Sequence, residues 1–128
     1  MRITVLGGTG HAGAAVVQEA AKRGHEVRSV SKRPPADPID GVEYLNGSLA
    51  DPQVVEAAIA DADAVFEALS GDLDGRIESV FADIARLAAE RSFRFGALGG
   101  TSSVLAHDGG PRMIDLYPPI EEYRADAE

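Results

Sequence analysis

The run Gly7-Gly8-Thr9-Gly10-His11-Ala12-Gly13 comes directly after the apolar stretch Ile3-Thr4-Val5-Leu6 and opens residues 12–23, whose pattern predicts a helix. Strand, glycine turn and helix in that order are what a nucleotide pyrophosphate requires. Glycines let the backbone turn tightly and let phosphate oxygens approach, and the free N–H groups of a helix start attract negative charge. The spacing reads as Gly8-x-Gly10-x-x-Gly13 or as Gly7-x-x-Gly10-x-x-Gly13, and both place Gly13 one turn into the helix, where a missing side chain permits close helix-to-strand contact. A bound dinucleotide is the leading expectation, and a tight turn without a ligand is the alternative.

At 128 residues the chain fits one domain, residues 1–128, and is too short for a cofactor domain plus a separate substrate domain. A formal charge of -9 argues against nucleic acid or an anionic membrane as partner, so a bound anion has to be held locally. No cysteine is present, which removes a disulfide framework, a thiolate zinc site and a cysteine nucleophile. The three histidines, His11, His25 and His107, are scattered and suggest no metal cluster. The apolar start is too short for a signal peptide and no stretch reaches transmembrane length, so a soluble cytoplasmic protein is the expectation.

Gly24 suits the left-handed cap of the first helix, and residues 26–31 read as a second strand. Pro34, Pro35 and Pro38 mark a loop, residues 42–45 a third strand, and Asp51-Pro52 a helix start with a capping carboxylate and proline at the first helical position. Val54, Val55, Ala58 and Ile59 form the buried face of that helix. Residues 63–69 read as a fourth strand; Ile77, Val80, Phe81, Ile84, Leu87 and Ala88 recur at helical spacing; and residues 93–98 read as a fifth strand. Alternating strands and helices predict an α/β fold, a Rossmann-like doubly wound parallel sheet of about five strands. From residue 99 to residue 128 the composition turns Gly, Pro and acid rich, an irregular segment in which only residues 119–127 read as helical.

The segment Leu6-Gly7-Gly8-Thr9-Gly10-His11-Ala12-Gly13, with Asp63-Ala64-Val65 and Gly99-Gly100-Thr101-Ser102-Ser103-Val104, resembles the atypical short-chain dehydrogenase/reductase family, in its NAD(P)H-binding branch of NmrA-like proteins and flavin and biliverdin reductases. The resemblance runs over nearly the whole chain and implies NADPH or NADH on the sheet and hydride transfer to a flavin, quinone or carbonyl. Gly7, Gly8, Thr9, Gly10, His11, Ala12 and Gly13 are then the expected pyrophosphate cradle, and Ala68-Leu69-Ser70-Gly71, which ends the fourth strand at the carboxyl edge where ligands of open sheets bind, is the further candidate. It also places Ser103 at the serine of a turn beside the nicotinamide, as a hydrogen-bond donor to substrate or carboxamide; satisfying its own turn is the other reading. Two departures stand out. The Tyr-x-x-x-Lys proton-donor pair is absent, since Tyr44, Tyr117 and Tyr123 are followed four residues on by Ser48, Glu121 and Ala127. The family's adenine-binding aspartate is replaced by Ser48, leaving adenine to the backbone and Leu49.

An acidic residue at the end of the second strand would bond the ribose hydroxyls of NAD and repel the 2'-phosphate of NADP. Here Ser31-Lys32-Arg33 offers a hydroxyl and a planar guanidinium fork, so NADP is expected over NAD, with Lys32 and Arg33 as ordinary solvated charges the alternative. The cofactor carries the difficult chemistry of hydride transfer. A carbonyl acceptor would also need a proton donor, for which His107, Tyr117 and Tyr123 are the loop candidates, while His11 either covers the pyrophosphate or faces water. Relatives continue through further strands that build the substrate pocket, so the resemblance implies a chain shortened at its C-terminus. An open fifth-strand edge then favours a homodimer, with residues 99–128 packed across the interface. A non-catalytic NADP(H)-binding regulator acting through a protein partner is the alternative function, and a remnant that binds nothing tightly is a third.

Overall fold

The computed structural model describes residues 1–69, 73, 75–99, 107–111 and 116. They fall into two compact units, Met1–Ala97 and Leu98–Glu128. In the first unit, strand and helix alternate: β1 (Arg2–Leu6), α1 (His11–Lys22), β2 (Glu26–Ser31), β3 (Val42–Asn46), α2 (Pro52–Ile59), β4 (Ala64–Glu67), α3 (Ile77–Arg91) and β5 (Arg94–Ala97). All four strand pairings are parallel and the sheet order is β3-β2-β1-β4-β5. The Rossmann-like α/β fold expected from the alternation is the fold observed.

Strand alternation sends neighbouring side chains to opposite faces, so the sheet has two apolar layers. Val5 of β1 and Val27 of β2 join Val17 and Ala20 of α1. On the other face Leu6, Val30 and Val65 join Ala58 and Ile59 of α2 and Val80, Ile84 and Leu87 of α3. The α3 spacing legible in the sequence thus lies against the sheet. Gly24 takes φ +78 after the first helix, and the α3 helix ends on Ser92 at φ +61.

Two strands are shorter than their sequence patterns. β4 stops at Glu67: the Ala68 N–H still donates to the Leu6 carbonyl at 2.8 Å, but the Leu69 N–H turns to the Glu67 carboxylate and leaves the ladder. β5 starts at Arg94, because Phe93 is spent in the core next to the left-handed Ser92. In the second unit, residues 107–110 make a turn closed by the Gly110 N–H on the His107 carbonyl at 2.9 Å, with Gly109 at φ +67. The expected helix at residues 119–127 lies outside the described residues. No helix among the described residues is long and apolar enough to cross a membrane.

Candidate functional site

The strand order runs outward in opposite directions from the β1–β4 pair, which makes that pair the switch point of the sheet, and ligands of open α/β sheets bind in the crevice beyond the carboxyl ends there. The glycine turn leaves β1 at this place. Gly7 has φ +81, its N–H donates to the Val30 carbonyl at 2.8 Å, and its carbonyl accepts from Gly10 N–H at 3.0 Å. A Cβ on Gly7 would stand 2.7 Å from the Ala68 carbonyl oxygen, so the end of β4 presses on the turn. A Cβ on Gly13 would collide with the Gly7 carbonyl oxygen, and one on Gly8 with the Ser29 hydroxyl. The spacing seen in the sequence is therefore imposed by close approach at both ends of the turn.

The α1 helix begins at Gly10, which offers no side-chain cap, and its first turn carries no acidic residue. The leading N–H groups are left for an outside acceptor and add to the positive end of the helix dipole. The α2 helix is built in the opposite way, with Asp51 accepting the Gln53 N–H at 2.9 Å. His11, the first residue of α1, is exposed, and Ala12 half-buried.

The fold brings Ser31 to the turn: its hydroxyl oxygen accepts the Thr9 N–H at 3.1 Å, which leaves the O–H free to donate onward. Lys32 and Arg33 follow, both exposed. Ser48 is engaged in its own turn, accepting the Ala50 N–H at 3.2 Å. Leu49 is committed to the core at 4% exposure, and with Ala50 it also lines a cavity of about 190 Å³ between α2 and α3. A second cavity, about 230 Å³, lies between Gly8, Thr9 and Val17 on one side and Asp37, Ile39 and Tyr44 on the other. Ala68 and Leu69 lie at the end of β4 beside Gly7, whereas Ser70 and Ser103 lie outside the described residues, as do Tyr117 and Tyr123. His107 is exposed in its turn.

Neither Glu67, which forms no carboxylate pair in the sequence, nor Ser29 belongs to a motif. Glu67, only 1% exposed, sits in register between Leu6 of β1 and Ala97 of β5, and its carboxylate accepts the Leu69 N–H. Burial pushes this carboxyl up from the ordinary value of 4.5, and the Leu69 bond opposes the shift without cancelling it. The Ser29 hydroxyl is buried behind Gly8 without a partner among the described residues. The signal for both was available in the sequence, since each falls two residues beyond an inward-facing valine, Val65 or Val27. Among the described residues no three His, Asp or Glu side chains gather as a metal would need.

Comparison with known proteins agrees with this architecture. The sequence profile of the NmrA-like family matches residues 1–91. A 2-alkyl-3-oxoalkanoate reductase of Stenotrophomonas maltophilia is 42% identical over 67 residues, 52% of this chain and 20% of the reductase. The structure of a proposed NADH-flavin reductase from Streptococcus pneumoniae superposes with a TM-score of 0.82 at 24% identity, covering 99% of this chain and 60% of that one. NmrA, a negative transcriptional regulator solved with NADP, gives 0.65 at 20% identity over 75% of this chain and 32% of its own. These two share the fold. The chain thus spans a fifth of the reductase and three fifths of the flavin reductase.

Proposed function

Because the chain belongs to the NmrA-like family, we propose that it binds a nicotinamide dinucleotide, NADPH in preference to NADH, for hydride transfer to a flavin, quinone or carbonyl acceptor. The observation that carries this reading is the uncapped start of α1 at the β1–β4 switch point, behind a turn that only glycines fit at Gly7 and Gly13. Bare N–H groups there suit a pyrophosphate, and the residues present fit the group. When bound, the cofactor supplies the hydride. Gly8, Thr9, Gly10, His11 and Ala12 hold the phosphates, and the Ser31 O–H, steadied by Thr9, donates to the ribose or its 2'-phosphate. Arg33 gives the phosphate its countercharge, while Leu49 and Ala68 border the two ends of the cofactor. Ser70 is proposed as a further cofactor contact, and Ser103 keeps its expected role as a hydrogen-bond donor to substrate or carboxamide.

The test is a fluorescence titration with NADPH and NADH. Tight binding selective for NADPH is expected, and Arg33→Ala should bring the two affinities to within a few-fold of each other; an unchanged preference would remove Arg33 from the site. A reductase oxidises NADPH when a flavin or quinone is added. The second reading is a non-catalytic NADP(H)-dependent regulator, and binding without turnover over a range of acceptors would select it. We also place the working form as a homodimer through the outer edge of β5, which pairs with no strand among the described residues; sedimentation as a monomer at micromolar concentration would overturn that part.

A further inference from the structure

We infer that Glu67 is a positioning residue for the nicotinamide half of the cofactor crevice, its carboxyl holding the Leu69 N–H and thereby fixing the Ala68–Leu69 turn against Gly7. The inference rests on the dinucleotide reading. A carboxyl at 1% exposure, on the face that carries Val65 into the apolar layer, is costly to keep in place of an apolar side chain. What it does there is local: the Ala68 N–H bonds Leu6 of β1, so by strand alternation the Leu69 N–H points to the β5 side, and Glu67 takes that donor, so β4 does not extend along β5 and the chain leaves the sheet directly after the Ala68–Leu6 bond. The Ala68 carbonyl then abuts Gly7 so closely that any shift of this turn is felt by the glycine turn.

Position along the sheet assigns the half of the cofactor concerned. The adenosine ribose is read at the end of β2, on one side of β1. β4 lies on the other side, so the remaining half of the dinucleotide crosses Ala68 and Leu69. Glu67 is thus remote from the adenosine contacts at Ser31 and close to those of the nicotinamide ribose and phosphate.

The experiment compares wild type, Glu67→Gln and Glu67→Met, titrated with NADPH and with the 2'-phosphorylated adenosine fragment that lacks the nicotinamide half. Gln retains an acceptor for Leu69, and Met fills the space without one. Glu67→Met is expected to weaken NADPH about tenfold while leaving the fragment within about twofold, and Glu67→Gln to restore NADPH to within about threefold of wild type. Equal weakening of both ligands by Glu67→Met, an unchanged NADPH affinity, or a Gln variant as weak as Met would overturn the assignment. If the Met variant does not fold, the Leu69 amide resonance in wild type decides: it should shift on adding NADPH and stay in place with the fragment, and the reverse or no shift overturns the role. Wild type that binds neither ligand would instead bring down the dinucleotide reading, a failure distinct from the others.

Discussion

At the scale of single residues, the glycines of the turn are unequal. Gly13 has no room for a methyl group against the Gly7 carbonyl, whereas Gly10, at φ -77, would bring a Cβ no nearer than 3.3 Å to that same oxygen. Gly13→Ala is therefore expected to cost about 1–3 kcal/mol by forcing helix and turn apart, and to abolish NADPH binding. Gly10→Ala should melt within a few degrees of wild type. Equal melting temperatures and affinities for the two variants would mean that the close approach does not matter. Ser31 carries its contact through one atom: its oxygen accepts the Thr9 N–H, which leaves the O–H to donate, so on the proposed function Ser31→Ala is expected to weaken NADPH by about tenfold while lowering Tm by only a few degrees.

At the scale of elements, α2 shows how an eight-residue helix is kept in place. A helix this short is marginal by propensity. Asp51 caps one end, and Pro52 presets the first turn. The other end is tied to the sheet: Thr4 Oγ1 donates to the Ala58 carbonyl at 2.7 Å, and the Arg28 guanidinium donates to the Ala57 and Ala60 carbonyls at 2.9 Å each while pairing with Glu43 at 2.8 Å. Arg28 thus supplies from the sheet the cation that the last turn of α2 lacks. Arg28→Met, which keeps the stem, is expected to lose about 1.5–3 kcal/mol in urea unfolding, from charged hydrogen bonds made by a side chain that is itself only 13% exposed. Asp51→Ala should lose about 1 kcal/mol. A loss from Arg28→Met no larger than a surface substitution gives would show that the carbonyls find water instead.

At the scale of the whole molecule, two carboxyls set opposite pH dependences. The folded chain holds the Glu67 proton to a higher pH than the unfolded chain does. Below the ordinary value of 4.5 both states keep the proton; as pH rises from there through the raised folded value, stability falls, and above it the cost is constant. Glu56, held low by its hydrogen bonds to Arg91, runs the other way: its support is complete above 4.5 and is lost as pH drops through the lowered folded value. Glu67→Gln removes the first dependence and leaves the second. The difference in Tm between Glu67→Gln and wild type should therefore move in the variant's favour from about pH 4 to neutral pH. A difference that is the same at both ends would show that the carboxyl titrates alike in the folded and unfolded chain.

The order of elements was legible in the sequence because its signals act within a few residues. Period-two valines, the helical spacing through residues 77–88, the Asp51-Pro52 start and the glycine spacing each report on their own neighbourhood. Which residues meet across the sheet was decided by tertiary structure. Ser31 reaches Thr9 over 22 positions, Arg28 reaches Ala57 over 29, and Thr4 reaches Ala58 over 54, and no local period encodes those separations. Glu67 lies between the two cases: alternation put it on the inward face, but only the parallel register of β4 between β1 and β5 enclosed it and turned its carboxyl onto Leu69. Local backbone preference fixes the elements, and burial, which exists only once the strands have paired, fixes the chemistry of the side chains between them.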